Sequence, residues 1–111
     1  MTQYNPDKWL IIKITDNGNI IYKVFGSWYG GFLDGDSWRC NSGITKITFD
    51  KKTNTYHFFG ESGSVYICHK DSYGASAYGS SVLQGFMEKA NGEIESLTEE
   101  QFLKIWTKFN K

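Results

Sequence analysis

Two runs of β-branched and apolar residues open the chain, Lys8 to Thr15 (KWLIIKIT) and Ile20 to Phe25 (IIYKVF), separated by Asp16, Asn17, Gly18 and Asn19. Asn and Gly tolerate the positive φ angles of a tight turn, so the pattern predicts an antiparallel hairpin. Both runs are apolar on each face apart from Lys13 and Lys23, as expected of central strands covered on both sides. Ile44 to Asp50 (ITKITFD) and Thr55 to Phe59 (TYHFF), joined by the polar Lys51, Lys52, Thr53 and Asn54, predict a second hairpin. Gly60, Glu61, Ser62 and Gly63 then turn the chain into Ser64 to His69 (SVYICH), which extends the hairpin into an antiparallel meander. A short strand over Ser37 to Asn41 (SWRCN), bounded by Asp34, Gly35 and Asp36 on one side and Ser42 and Gly43 on the other, brings the expectation to five or six strands.

The hydrophobic period changes near residue 75. Val82, Leu83, Phe86, Met87 and Ala90 fall on one face of a helix that Gly92 stops, with Ser80 or Ser81 as its cap and Gln84 placed to complete a capping box after Ser81. A second helix is announced by Thr98 as cap, Gln101 three residues on, Glu99 and Glu100 against the positive helix end, and Leu97 poised to staple Phe102. Its expected inner face is Phe102, Leu103, Trp106 and Phe109. The predicted architecture is α+β in a single domain: a five- to six-stranded antiparallel meander sheet over residues 8–70, followed by two C-terminal helices over residues 80–110 packed on one face.

Composition agrees with one folded unit, since 111 residues that are 40% apolar and only 22% charged can bury a core. Twelve basic and twelve acidic residues cancel, which argues against a protein that coats nucleic acid or an anionic membrane, although a local basic patch stays open. Pro6, Asp7, Lys8 and Asp16 surround a short apolar run near the start that is neither a signal peptide nor long enough to span a bilayer, so a cytoplasmic protein without a membrane partner is expected. Cys40 and Cys68 both fall in strand-like runs and read as buried thiols of a reducing compartment.

The stretch from Lys23 to Arg39 (KVFGSWYGGFLDGDSWR) crowds Phe25, Trp28, Tyr29, Phe32 and Trp38 among four glycines. On a functional reading it is a recognition loop for a partner protein, with Trp28, Tyr29, Phe32, Asp34, Asp36, Trp38 and Arg39 as contact residues. On a structural reading the aromatics close one end of the sheet and the glycines mark turns and a bulge. Arg39, the only arginine, is expected to pair internally with Asp34 or Asp36, with capture of an external carboxylate or phosphate as the second use of its planar fork. Tyr73 to Ser81 (YGASAYGSS) enters the first helix, whose free amides could hold a phosphate. It lacks the spacing of a nucleotide-binding loop, so Trp38, Arg39, Ser80 and Ser81 stand only as an alternative small-ligand site.

His57, His69, Cys40 and Cys68 are the only soft metal ligands, and they lack a close pair of the kind structural zinc sites use. Cys68 and His69 are adjacent and point to opposite faces of a strand, so no metal is expected. The acidic Glu88, Glu93, Glu95, Glu99 and Glu100 are interspersed with Lys89 and Lys104 and read as solvated helix charges rather than a face that imitates DNA. With no nucleophile, base and orienter identifiable together, the chain reads as non-enzymatic and without a cofactor.

Lys23 to Lys46 (KVFGSWYGGFLDGDSWRCNSGITK), Phe58 to Lys70 (FFGESGSVYICHK) and Tyr78 to Leu83 (YGSSVL) resemble small accessory proteins of large tailed bacteriophages, over residues 8–90. That group brings no catalytic or binding motif to carry over. The resemblance implies a protein in the host cytoplasm that binds and modulates or inhibits a host protein, with sequestration of a nucleotide-type signal as the alternative. Nucleic acid is not an expected partner, and the free edge of the meander could pair two copies into a homodimer.

Overall fold

In the computed structural model of the chain, Asn17 and Gly18 take φ values of 49° and 84° and close the hairpin between β2 (Lys8–Asp16) and β3 (Asn19–Gly31). The structure describes residues 2–31, 35–90 and 93–109, with the side chains of residues 30, 31, 35 and 36 outside that description. A short β1 (Gln3–Tyr4) precedes the hairpin. After it come β4 (Gly35–Cys40), β5 (Ile44–Asp50), β6 (Thr55–Gly60), β7 (Val65–His69), a 3-10 turn at Lys70–Ser72, α1 (Ala77–Lys89), β8 (Ile94–Ser96) and α2 (Glu99–Phe109).

The α+β character and the C-terminal position of the helices agree with the sequence, but the single sheet does not. Eight strands among the described residues form two four-stranded sheets, ordered β4-β3-β2-β8 and β1-β7-β6-β5. The break falls between β4 and β5. Buried Asn41 ends the β4 ladder by donating its backbone N–H to Val24 O and accepting the Val24 N–H on its own Oδ1 at 2.9 Å. Gly43, at φ 138°, then turns the chain away, so β5 starts the second sheet instead of extending the first. The β5-β6-β7 meander forms as expected, and β1 adds to it in parallel beside β7.

β2 and β3 are covered on both faces, and the two covers differ. One face, carrying Leu10, Ile12 and Phe25, packs under α1 through Leu83, Val82, Phe86 and Met87. The other, carrying Trp9, Ile11 and Val24, packs against Tyr56, Phe58, Tyr66 and Cys68 of the second sheet and Phe102 of α2. The helices therefore do not share one face. An apolar strand pair with two apolar faces recruits a separate cover for each. Tyr73 stitches this interior together, its hydroxyl accepting the Ile11 N–H at 3.2 Å and donating to Leu97 O at 2.7 Å.

Helix starts obey capping chemistry, although not always at the expected residue. Thr98 and Gln101 form the reciprocal box, Thr98 N–H donating to Gln101 Oε1 at 2.8 Å and Gln101 N–H to Thr98 Oγ1 at 3.2 Å. Leu97 and Phe102 are both buried at this start, whereas Leu103 falls outside the packed face at 43% exposure. α1 begins before Ser80 and Ser81, because Ser76 is its cap and accepts the Gly79 N–H at 3.0 Å. Buried Ser27 fixes that start by accepting the Ser76 N–H at 3.2 Å. A Cβ on Gly79 would stand 3.1 Å from Ser27 Cβ, so glycine lets the helix approach β3 this closely.

Phe102→Ala should destabilise the fold by about 3–5 kcal/mol, because it leaves a cavity between the sheets and α2. Leu103→Ala should change stability by less than about 0.5 kcal/mol. Urea denaturation of both variants checks the pair, and equal effects would contradict the packing described.

Candidate functional site

The aromatic stretch expected as a loop is largely strand. β3 runs on through Trp28 and Tyr29 to Gly31, and β4 resumes at Gly35, so Trp38 and Arg39 are strand residues as well. Of the expected contact residues, Phe32 and Asp34 lie outside the described residues, and only the backbone of Asp36 is described. The expected ion pair between Arg39 and Asp34 or Asp36 therefore falls outside the description too.

Strand pairing places the remaining residues on two sides of the sheet. Gly26 lies opposite Arg39, Ser27 opposite Trp38 and Trp28 opposite Ser37. Side chains alternate, so Trp28, Ser37 and Arg39 face the second sheet while Trp38 faces α1. Trp38 stacks on Phe25, with centroids 5.5 Å apart and planes within 8°, and meets Phe86 edge-on at 5.1 Å. The structural reading thus applies to Trp38, which is largely a packing residue with an accessible margin. Tyr29 is 56% exposed.

Trp28, Trp38 and Arg39 nevertheless meet at one cleft of about 410 Å³, lined also by Gln3, Tyr4, Asn5 and Ser37. The N-terminal segment builds its opposite wall. Asp7 N–H donates to Ser27 O at 3.0 Å, Tyr29 N–H to Asp7 Oδ2 at 2.9 Å, and Trp28 Nε1 to Asn5 O at 2.9 Å. Pro6 lies over Gly26, where a Cβ would come within 3.0 Å of Pro6 Cβ. These contacts bring Tyr4 over the cleft, where it packs on Tyr66 at 4.9 Å, meets Trp28 edge-on at 6.4 Å and carries the Arg39 guanidinium 4.8 Å above its ring. A cation over an aromatic face beside further rings is suited to hold an anionic or planar group.

Gln3, Tyr4 and Asn5 were not legible as site residues in the sequence. β1 is two residues long and pairs in parallel with a strand far along the chain, which leaves no local period to detect. Ser80 and Ser81, the other half of the alternative ligand site, are exposed on α1 and do not line this cleft. The Ser80 N–H donates to Ser76 O at 2.8 Å, inside the helix.

The soft side chains are dispersed. Cys68 is buried between the sheets, and Cys40 packs on the α1 side of β4, so the two free thiols belong to different clusters. Burial pushes the Cys40 thiol up to about 11, with Lys23 drawing it partly back, and pushes Cys68 well above the ordinary value. His57 bonds Thr55 Oγ1 at 3.1 Å, and His69 accepts the Asp71 N–H on Nδ1 at 3.1 Å. Among the described residues no three His, Cys, Asp or Glu side chains gather as a metal site would require. Glu88, Glu93, Glu95, Glu99 and Glu100 are all exposed.

No protein-family model matches the chain, and neither a curated protein nor a solved structure shows significant similarity to it.

Burial raises Cys40 from 9.0 to about 11 and Tyr73 from 10.0 to about 12. The unfolded chain loses these two protons first, so the stability they contribute is complete below pH 9 and is lost as pH rises through 9 to 12. The urea midpoint should fall across that window, and a Cys40→Ala, Tyr73→Phe double variant should show a shallower fall. Parallel curves for the variant and the parent would refute this assignment.

Proposed function

We propose that the protein is a non-enzymatic binding module that captures a host protein through the cleft formed by Trp28, Trp38 and Arg39 with Tyr4. The observation that carries this reading is the convergence of a guanidinium and several aromatic rings on one accessible recess. Aromatic and arginine side chains dominate protein recognition because they combine large contact area with directional bonding. Exposed Tyr29 enlarges the contact surface beyond the recess. Two thiols held in their neutral form by burial support binding rather than nucleophilic catalysis. The resemblance to tailed-phage accessory proteins supports a host protein as the partner and the host cytoplasm as the place of action. Among the described residues no helix is long and apolar enough to cross a membrane.

A second reading, sequestration of a nucleotide-type small ligand, is favoured by the cleft volume of about 410 Å³, which falls in the range of small-molecule pockets. In that case Tyr4 and Trp28 would stack on the base while Arg39 holds the phosphate.

Tagged protein should retain a stoichiometric host protein from bacterial lysate. Trp28→Ala and Arg39→Glu should each weaken that retention by roughly 1–3 kcal/mol, a loss of about fivefold to 150-fold. Arg39 is exposed, so its variant tests binding with the fold intact, as a melting curve would show. Undiminished retention by both variants would sink the proposal. A nucleotide that raises the melting temperature of the parent but not of Arg39→Glu would transfer it to the second reading.

A further inference from the structure

The cleft lies between the edges of the two sheets. β4 ends the order β4-β3-β2-β8 and β1 ends the order β1-β7-β6-β5, while Gln3 and Tyr4 from one strand and Ser37, Trp38 and Arg39 from the other line the same recess. Ladder geometry identifies the spare backbone groups. Asn41 N–H donates to Val24 O and Asp7 N–H donates to Ser27 O, so Val24, Gly26 and Trp28 turn their backbone groups toward β4 while Ser27 turns its own toward β2. The β4 residues opposite Gly26 and Trp28 are Arg39 and Ser37. Trp38 and Cys40 therefore direct their N–H and C=O away from β3, toward a side where no strand pairs among the described residues. Such an edge is a template for an added strand unless proline, charge, a bulge or a covering element blunts it. β4 contains neither proline nor lysine, the Arg39 side chain lies on the face toward the second sheet, Trp38 and Cys40 fall in the regular register away from the shift that follows Trp28, and among the described residues α1 packs on the face of β4.

The charge of the lining selects the occupant. Among the described side chains that line the cleft Arg39 is the one that carries a charge, so no carboxylate described in the lining opposes it. A guanidinium presents a planar fork of donors that matches a carboxylate.

We propose that the β4 edge and the cleft together take an extended acidic segment of the partner protein, added as a further strand beside β4. Its main chain bonds the backbone of Trp38 and Cys40, and a Glu or Asp side chain reaches Arg39 beside the rings of Tyr4 and Trp28. This inference rests on the binding-module reading and specifies how the partner is held. Main-chain pairing supplies affinity with little dependence on sequence, while Arg39 supplies the preference for an acidic residue.

The test is amide hydrogen exchange followed by NMR on the full chain, with a capped peptide of alternating threonine and glutamate at millimolar concentration. The Trp38 and Cys40 amides should become protected about tenfold or more, while Ser37 and Arg39, already bonded to β3, change little. Arg39→Gln should weaken the response roughly tenfold. A peptide with lysine in place of glutamate, and a peptide N-methylated at every amide, should leave both edge amides unprotected. The inference is overturned if the acidic peptide protects neither amide, or if the lysine peptide protects them equally. It is also overturned if protection appears without peptide and grows with protein concentration, because a second copy then occupies the edge. Loss of host capture in Trp28→Ala and Arg39→Glu without edge protection would remove the added strand and leave the binding module standing. Undiminished capture would remove both.

Discussion

The indole of Trp9 sits where the two sheets and α2 meet. Its N–H donates to His69 O at the end of β7 at 2.6 Å, and its ring packs against Tyr56 and Phe58 of the second sheet, Tyr73 of the connection before α1, and Phe102 of α2. Its own backbone carbonyl accepts the Gly74 N–H. One side chain thus joins a central strand to the opposing sheet, to the segment leading into α1 and to α2. A large aromatic with a satisfied polar handle can do this because it buries much surface and leaves no donor unpaired.

Because β2 carries Trp9 and Ile11 on one face and Leu10 and Ile12 on the other, the sandwich needs a lid on its far side, and α1 provides it. The interior then closes toward α2, where Phe102, Trp106 and Phe109 fill the space between the sheets. Among the described residues no comparable helix stands at the β1 and β4 edges. The gap is bridged by Pro6 over Gly26 and by the bonds of Asn5 and Asp7 to β3, which hold Tyr4 beside Arg39. The cleft is therefore a consequence of how the two sheets are closed, and its wall residues are positioned by backbone hydrogen bonds and ring contacts rather than by a free loop. Positions of this kind suit recognition, since little conformational freedom is left to lose on binding.

Features set by neighbours along the chain were legible in the sequence. Asn17-Gly18 specified the first hairpin, the polar turn at Lys51 to Asn54 specified the second, and Thr98 with Gln101 specified the start of α2. The two-faced apolar pattern of β2 and β3 announced that both sides would be covered. The aromatic stretch was recognised as unusual, but the glycines Gly26, Gly30 and Gly31 suggested a loop where β3 continues. A Cβ on Gly26 would crowd Pro6 at 3.0 Å, a steric demand set by a residue twenty positions earlier. The Ser76 start of α1 was missed in the same way, because its reason is the Ser27 hydroxyl on β3.

By itself the sequence determined the hairpins, the α2 cap and the apolar faces, since each depends on periods and turn chemistry within a few residues. Only the tertiary structure decided that the strands divide into two sheets, that the helices cover different faces, and that Tyr4 meets Trp28 and Arg39 while Ser80 and Ser81 do not line the cleft. Pairings such as β1 with β7 and β2 with β8 join short segments far apart in the chain. Their stability comes from burial and ladder bonds that exist only once the fold has closed, and no local pattern encodes them.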